Sequence, residues 1–272
     1  MKKLGIAFAG GGARGAYQIG AWQALKEHGL DTKFSAFSGA SVGSLNAVLF
    51  AMGDYDKAYE TWMSLDKKTL FNLEKHILKR LMKEKLNFIN RGVYNTRRLE
   101  KIIRNTIDFE SIRNKEIYIA TTHLGDQKST FFDLIRTNYK HFFKADQQIE
   151  YIDLNQFEDE DKLKTLLASC AIPVAFKPIE INKQTYYDGG LLDNTPYQPL
   201  IDAGCDVIIV IDLFTFSPMR IKKVQGVKLF TCYPKRSLRG ILDFNHKYIT
   251  RRFDLGYQDM SKLLEKIKDE LI

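Results

Sequence analysis

The first 52 residues alternate between short apolar runs and amphipathic runs, and this alternation restricts the fold more than any other feature. Residues 3–9 (KLGIAFA) and 34–37 predict buried strands, whereas residues 16–28 and 44–52 predict helices. Strands joined by helices run parallel, because a parallel pair needs a long crossover connection. The sequence therefore predicts an α/β fold with a mainly parallel central sheet.

Later segments continue this pattern without a repeat, a low-complexity stretch or a linker. Strands are predicted over residues 116–122, 130–134 and 205–214, and a hairpin over 179–187 around Asn182-Lys183. Helices are predicted over residues 96–106, 161–170, 196–203 and from Leu238 onward. We therefore expect a single domain over residues 1–272.

Composition argues against several classes of protein. No stretch approaches 18 uninterrupted apolar residues, so no membrane span is predicted. The three cysteines show no C-x-x-C pattern or paired histidine ligands, which argues against a disulfide framework and a structural zinc site. The apolar run at the start is too short for a signal peptide. We expect a cytoplasmic protein that uses no metal or other cofactor.

The chain carries a formal net charge of +8, which indicates either an ordinary solvated surface or an anionic partner. Residues 73–89 place Leu, Ile and Met opposite Lys and Arg. That pattern suits a helix lying on anionic lipid, and it equally suits a helix packed on the body of the protein. We expect a basic helical cap segment near residues 65–95. Nucleic acid is the least expected partner, because no recognition module is present.

Residues 39–43 read G-x-S-x-G between a predicted strand and a predicted helix. Small residues on both sides of Ser41 allow a sharp turn that presents the serine at the edge of the sheet. The N-terminus of the following helix would favour an alkoxide at that point. The same letters also suit an ordinary small-residue turn, but the strand-to-helix context favours a nucleophile.

A glycine-rich loop, AGGGARG, follows the first predicted strand. Because glycine lets successive N–H groups converge, Gly10, Gly11 and Gly12 predict an oxyanion hole for the serine. The loop also contains G-x-G-x-x-G, ending at Gly15, which is the fingerprint of a dinucleotide-binding turn. Such a turn needs an acid at the end of the second strand, whereas Asp31 precedes that strand. A nucleotide-binding protein, or a catalytically silent lipid-binding protein, is the alternative.

The residues alone leave the base for Ser41 open. A triad in the order Ser, Asp, His would use Asp188 or Asp212 and then His246, but His246 lies in a basic stretch typical of a surface. Asp188 is better placed, because it ends a predicted strand and precedes two glycines that allow close approach to another loop. A desolvated carboxylate bonded to a serine hydroxyl can act as a base.

Four motifs resemble, in the same order, those of the patatin-like phospholipase family. They are GGGARG (10–15), GASVG (39–43), ASCAIP (168–173) and DGGLLDNTP (188–196). GILDF (240–244) and DLGYQD (254–259) extend the resemblance over nearly the whole chain. Val174 departs from it, since we expect glycine there, and this change is expected to alter the shape of the acyl groove.

The resemblance implies a three-layer α/β/α sandwich with a nucleophile elbow after the second strand. It also implies a hydrolase that cleaves lipid acyl esters, such as those of phospholipids or lysophospholipids, through a Ser41–Asp188 dyad and an acyl-enzyme. Gly10, Gly11 and Gly12 would line the oxyanion hole. The other motif residues would support the site; they are Arg14, Gly15, Gly39, Gly43, Gly189 and Gly190. The expected partners are a lipid substrate and an anionic membrane contacted peripherally.

Overall fold

The computed structural model describes residues 2–65, 96–123, 148–171, 176, 178–215 and 224–271. Its strands are β1 (Leu4–Phe8), β2 (Ala36–Ala40), β3 (Glu116–His123), β4 (Gln148–Asp153), β5 (Ile179–Ile181), β6 (Gln184–Asp188), β7 (Val207–Ile211) and β8 (Lys228–Cys232). Its helices are α1 (Ala16–Glu27), α2 (Val42–Met52), α3 (Tyr55–Ser64), α4 (Arg97–Thr106), α5 (Asp159–Ser169), α6 (Gln198–Asp202) and α7 (His246–Ile267).

Within these described residues, eight strands form one mixed sheet in the order β5-β6-β3-β2-β1-β7-β8, and β4 pairs with β3 outside that order. The pairs from β3 through β2, β1 and β7 to β8 are parallel. The pairs β3–β4, β3–β6 and β5–β6 are antiparallel. The predicted, mainly parallel α/β fold is therefore confirmed.

Strand β7 shows how the sheet is buried on both faces. Val207, Ile209 and Ile211 pack into the large core under α1, α2, α5 and α7. Ile208 and Val210 point to the opposite face, where they pack with side chains of and around α6. A strand covered on both faces needs a continuous apolar sequence, and VIIVI supplies it. The sheet thus lies between two helical layers.

The edge of β3 brings β2 and β6 together. Along this edge, β2 pairs in parallel as far as Ala40, opposite Ala120. Strand β6 arrives antiparallel from the other end and stops at Asp188, opposite Thr121. Both strands occupy the same edge, because β4 fills the other edge of β3 over these positions. The residue after Ala40 and the last residue of β6 therefore meet at neighbouring positions along β3.

Most predicted elements are confirmed within a few residues. The hairpin between β5 and β6 turns at Asn182 and Lys183, whose φ values of 50° and 68° suit a two-residue turn. The helix predicted from Leu238 onward is wrong at its start, because α7 begins at His246 after Asn245 caps it by accepting the Lys247 N–H. No helix in the described part of the chain is long and apolar enough to cross a bilayer.

Strands β4 and β8 were not predicted. Strand β4 (QIEYID) alternates exposed Gln148 and Glu150 with half-buried Ile149 and Tyr151, and this short signal was missed. Strand β8 (KLFTC) is a half-buried edge strand without alternation. The predicted strand over 130–134, the change at Val174 and nearly all of the basic segment 65–95 lie outside the described residues. The single domain over 1–272 stays a prediction.

Helices α1 and α7 approach closely at two glycines. A Cβ atom on Gly20 would lie 1.9 Å from the carbonyl oxygen of Phe253, and one on Gly256 would lie 1.9 Å from that of Tyr17. The Tyr17 hydroxyl also donates to Asp259 Oδ2 at 3.1 Å. The C-terminal helix is therefore held against the first helix by backbone contact that leaves no room for a side chain.

Replacing Gly20 with alanine should destabilise the protein by about 1–3 kcal/mol, because the added methyl group forces the two helices apart. Thermal unfolding measures this change. Gly240→Ala is the control, since its Cβ would meet only Asp243 Cβ at an ordinary 3.7 Å. Equal melting temperatures for the two variants would contradict the close crossing.

Candidate active site

Ser41 occupies a strained turn between β2 and α2. Its φ and ψ are 54° and −131°, a conformation that non-glycine residues rarely adopt. Gly39 and Gly43 permit the turn, because a Cβ on Gly39 would lie 2.3 Å from the Gly43 carbonyl oxygen and one on Gly43 2.2 Å from that of Phe8. The turn predicted from G-x-S-x-G is therefore present, and it places Ser41 at the carboxyl end of β2, where the residue lines a cavity.

The Ser41 hydroxyl meets the carboxylate of Asp188. Ser41 Oγ donates to Asp188 Oδ2 at 2.8 Å, and both residues are buried. The Gly190 N–H donates to Asp188 Oδ1 at 2.8 Å, so both carboxylate oxygens are engaged. The backbone of Asp188 is also fixed, since its N–H donates to Ala171 O and its carbonyl accepts from Thr122 Oγ1 at 3.0 Å. These contacts leave the carboxylate little freedom to turn away from the serine.

Burial determines the protonation of Asp188. Desolvation raises the pKa of this carboxyl from the ordinary 3.8 to about 7, and the hydrogen bonds from Ser41 and Gly190 oppose that rise. The group therefore exchanges its proton near neutral pH. A carboxylate with such a pKa is a much stronger base than one on the surface.

Ser169 holds the turn of Ser41 in register with the sheet. The Ser41 N–H donates to Ser169 Oγ at 2.9 Å, and Ser169 Oγ donates to Ala120 O at 2.8 Å. Ser169 is fully buried at the end of α5. Sequence reasoning included it in ASCAIP without giving it a role. A serine in the last turn of a helix, inside a motif already singled out, was the available signal.

Gly10 joins the glycine loop to the loop that follows Asp188. Its N–H donates to the Asn194 carbonyl at 3.1 Å, and its own carbonyl accepts from Asn194 Nδ2 at 3.0 Å. A Cβ on Gly10 would lie 2.5 Å from Asn194 Oδ1 and 3.0 Å from Ser41 Cβ. The loop thus borders the serine as predicted. The Gly10 N–H, however, is already engaged, which differs from the prediction that all three glycines offer donors.

The N–H groups of Gly11 and Gly12 differ from that of Gly10, which already donates a hydrogen bond. Within the part of the chain that the structure describes, neither of their N–H groups has a hydrogen-bond partner. Gly12 has a φ of 54°, and a Cβ there would lie 2.3 Å from the Ile241 carbonyl oxygen, so a larger residue does not fit. Gly12 also lines the cavity that contains Ser41.

The remaining motif residues act through packing and anchoring. Arg14 Nε donates to the Arg239 carbonyl at 2.7 Å, and the Arg14 guanidinium lies 5.2 Å from the centre of the Phe214 ring. A Cβ on Gly15 would lie 2.8 Å from the Trp62 ring, and one on Gly189 2.1 Å from the carbonyl oxygen of Ala120 in β3. Arg14 thus ties the glycine loop to the C-terminal region.

An apolar cavity of about 220 Å³ opens beside Ser41. Its walls come from three helices and a C-terminal loop, and include Leu45, Leu49, Trp62, Leu99, Ile103 and Phe244. A pocket with such walls suits a hydrocarbon chain and offers little to a phosphate or a nucleotide. Ser41 therefore borders an apolar space.

The alternative residues lie apart from this pair. Asp31 precedes β2 and accepts from Trp22 Nε1 at 3.3 Å. Asp212 accepts the N–H groups of the two residues that follow it in the turn after β7. His246 is exposed at the first residue of α7, and among the described hydrogen bonds none joins it to Ser41 or Asp188. No cluster of three or more ligand-type side chains able to hold a metal occurs in the described ranges.

A family model described as "Patatin-like phospholipase" matches residues 6–201. Among relatives, the chain is 26% identical to "Lysophospholipase NTE1" of Cryptococcus neoformans over 78% of its own length and 11% of the relative's. It is also 26% identical to the "Uncharacterized NTE family protein Rv1063c" of Mycobacterium tuberculosis, over 78% of its length and 49% of the relative's. The chain therefore spans half or less of these relatives.

A solved structure with a similar fold is the type III effector protein ExoU of Pseudomonas aeruginosa. The TM-score is 0.54 at 18% identity, and the match covers 97% of this chain and 53% of the other. At this identity the likeness concerns the fold alone.

Ser169→Ala should destabilise the protein by about 1–3 kcal/mol, because it leaves the Ser41 N–H buried without its acceptor and removes the bond that Ser169 donates to the Ala120 carbonyl. Ser111→Ala is the matched control, since that hydroxyl also donates to a backbone carbonyl but lies on the surface. Denaturant unfolding of both variants gives the comparison. A Ser169 variant as stable as the Ser111 variant would contradict the bridging role.

Asp188→Asn should stabilise the protein at pH 8. The unfolded state loses its Asp188 proton near pH 3.8, whereas the folded state retains it to about pH 7, so the wild type loses stability as pH rises between these values. The full loss amounts to at most about 4 kcal/mol. Thermal unfolding from pH 4 to pH 8 should show this part of the pH dependence in the wild type and its absence in the variant. Parallel curves would contradict the raised pKa.

Proposed function

The chain belongs to the patatin-like phospholipase family, and from that premise we propose that it is a serine hydrolase of lipid acyl esters. The observation that carries the proposal is the 2.8 Å hydrogen bond from Ser41 Oγ to the buried carboxylate of Asp188. This pair lies at an apolar cavity and beside a glycine loop. A nucleophile, a base, an anion-binding loop and a place for an acyl chain are thus within one site.

The first step is attack on the ester carbonyl. Asp188 accepts the proton of Ser41 as Ser41 Oγ bonds to the carbonyl carbon, and the carbonyl oxygen becomes an oxyanion. The N–H groups of Gly11 and Gly12 are the proposed donors to this oxyanion, because they have no partner in the described part of the chain. Gly10 instead fixes the loop through Asn194.

The second step frees the acyl group. The tetrahedral intermediate collapses, and the leaving alcohol takes the proton from Asp188, which leaves an acyl ester on Ser41. Water then attacks this ester while Asp188 accepts its proton. As the second intermediate collapses, Asp188 returns this proton to Ser41 Oγ and the fatty acid leaves. Asp188 thus acts in both steps, and no histidine takes part.

The substrate class follows from the shape of the site. The cavity walls beside Ser41 are apolar, so the acyl chain of the substrate would lie among Leu45, Leu49 and Ile103. The polar part of the lipid would then remain outside with the leaving alcohol. A phospholipid or a lysophospholipid fits this arrangement. The fungal relative is named a lysophospholipase, which supports the same class of substrate.

Labelling with a lipophilic fluorophosphonate tests the proposal. Intact-mass measurement should find one adduct on the wild type and none on Ser41→Ala. Asp188→Asn should label at least about a hundredfold more slowly, because it removes the base. Asp31→Asn is the control carboxylate variant and should label as the wild type does.

The pH dependence of the same labelling reports on the base. Asp188 must be unprotonated to accept the serine proton, so the labelling rate should rise about tenfold from pH 6 to pH 8 if its pKa is about 7. No adduct on folded wild type would indicate a lipid-binding protein without catalysis. Full labelling of Asp188→Asn would exclude the dyad.

A further inference from the structure

Two neighbouring apolar side chains are exposed at the mouth of the cavity. Ile241 is 41% exposed and Leu242 is 46% exposed, and both line the cavity beside Ser41. In the described part of the chain the other exposed large apolar residues, Tyr59 and Leu192, stand singly in sequence. Single exposed apolar residues are common on soluble proteins, whereas an adjacent pair at the entrance of an apolar cavity marks a contact surface.

The segment that carries this pair, Leu238–Phe244, is here called the rim loop, and a buried arginine fixes it. Arg252 is 1% exposed. Its guanidinium donates to the carbonyls of Leu238, Gly240 and Asp243 within the rim loop, and to that of Ala13 in the glycine loop. Burial removes water from the Arg252 guanidinium and thereby lowers its pKa. The four carbonyls take the place of that water as hydrogen-bond acceptors.

Two further hydrogen bonds join the rim loop to the glycine loop. The Ala13 N–H donates to the Ile241 carbonyl at 2.7 Å, and Arg14 Nε donates to the Arg239 carbonyl at 2.7 Å. Arg239 has a φ of 61°, which is a left-handed backbone conformation that non-glycine residues rarely adopt. These hydrogen bonds fix the backbone of the rim loop and so keep Ile241 and Leu242 at the surface.

Basic residues occur in the rim loop and in the helix that follows it. Arg239 and Arg251 are exposed and line one shallow depression next to the rim loop. Residues 235–254 contain five exposed lysines and arginines, besides the buried Arg252, against two aspartates, Asp243 and Asp254. An apolar tip inside a cationic surface is complementary to an anionic lipid bilayer, whose headgroups carry phosphate above an acyl interior.

We propose that the rim loop seats the protein on an anionic lipid surface. Ile241 and Leu242 enter the boundary between headgroups and acyl chains, while Arg239 and Arg251 contact headgroup phosphates. This inference rests on the proposed function in one respect, namely that the cavity behind the pair takes an acyl chain. A lipid in the bilayer then lies directly at the entrance that leads to Ser41.

Vesicle flotation tests this contact between the rim loop and anionic lipid, which is here called the seat. All variants are made in a Ser41→Ala background, so that hydrolysis cannot change the vesicles during the measurement. The parent should bind vesicles that contain phosphatidylglycerol, bind pure phosphatidylcholine vesicles at least about tenfold more weakly, and detach near 1 M salt, where the Debye length is about 3 Å. Ile241→Ser with Leu242→Ser, and separately Arg239→Gln with Arg251→Gln, should each lower the partition coefficient at least about tenfold.

Two lysines at the opposite end of the parallel strands provide a control for net charge. Lys33 and Lys115 are exposed and lie just before β2 and β3, whereas Ser41 follows the other end of β2. Lys33→Gln with Lys115→Gln removes the same charge as the double arginine variant and should leave vesicle binding within about twofold. Thermal unfolding confirms that each variant is folded.

Three results would overturn the seat: no binding of the parent, unchanged binding of the Ile241/Leu242 and Arg239/Arg251 double variants (together called the rim-loop variants, although Arg251 lies in α7), or an equal loss in the lysine control. Fluorophosphonate labelling of the wild type tests the hydrolase proposal independently of vesicle binding. If labelling fails and rim-loop variants still lose vesicle binding, the hydrolase proposal fails while the lipid seat stands. If labelling succeeds and the rim-loop variants bind as the parent does, only the seat fails.

Discussion

The site depends on one edge of β3, where two strands of opposite direction end at adjacent residues. Strand β2 stops opposite Ala120 and β6 stops opposite Thr121, which places Ser41 and Asp188 side by side although 147 positions separate them in the chain. The junction is closed by short contacts. Ser169 bridges the serine turn to the Ala120 carbonyl, and Gly189 leaves that carbonyl room. The geometry of the pair is thus a property of strand register, which is far more rigid than a loop.

The same junction carries a conflict between stability and chemistry. Enclosing Asp188 raises its pKa to about 7, so its charged form destabilises the fold at neutral pH. The strained backbone of Ser41 adds a second cost at the neighbouring residue. Under the proposed mechanism both features would serve the serine, because a desolvated carboxylate accepts a proton more readily and the sharp turn directs Ser41 into the cavity. Such costs concentrate at functional sites because the surrounding core is stable enough to bear them.

The sequence predicts the residues of the site better than their contacts. Periodicity and the G-x-S-x-G spacing predict the strand–turn–helix around Ser41, since both depend on local backbone geometry. Asp188 was favoured as the partner of Ser41 because it ends a strand before two glycines, and the resemblance gave it the role of base. Nothing local to Asp188 shows that its strand ends beside β2. The bridging role of Ser169 and the engaged N–H of Gly10 depend on segments more than a hundred residues away. Strand β4 was missed although its first four residues alternate between polar and apolar, because so short an alternation gives only a weak signal.

Because two strands end against a third, the lengths of the connections between them do not enter the spacing of Ser41 and Asp188. A protein assembled in this way can exchange or enlarge its connecting segments while Ser41 and Asp188 keep their relative geometry. The part that resists change is β3 itself. Deleting one residue within Glu116–His123 would shift the alignment of one incoming strand relative to the other and turn side chains to the wrong face of the sheet. Variation among related proteins should therefore concentrate in the connections and spare the length of β3.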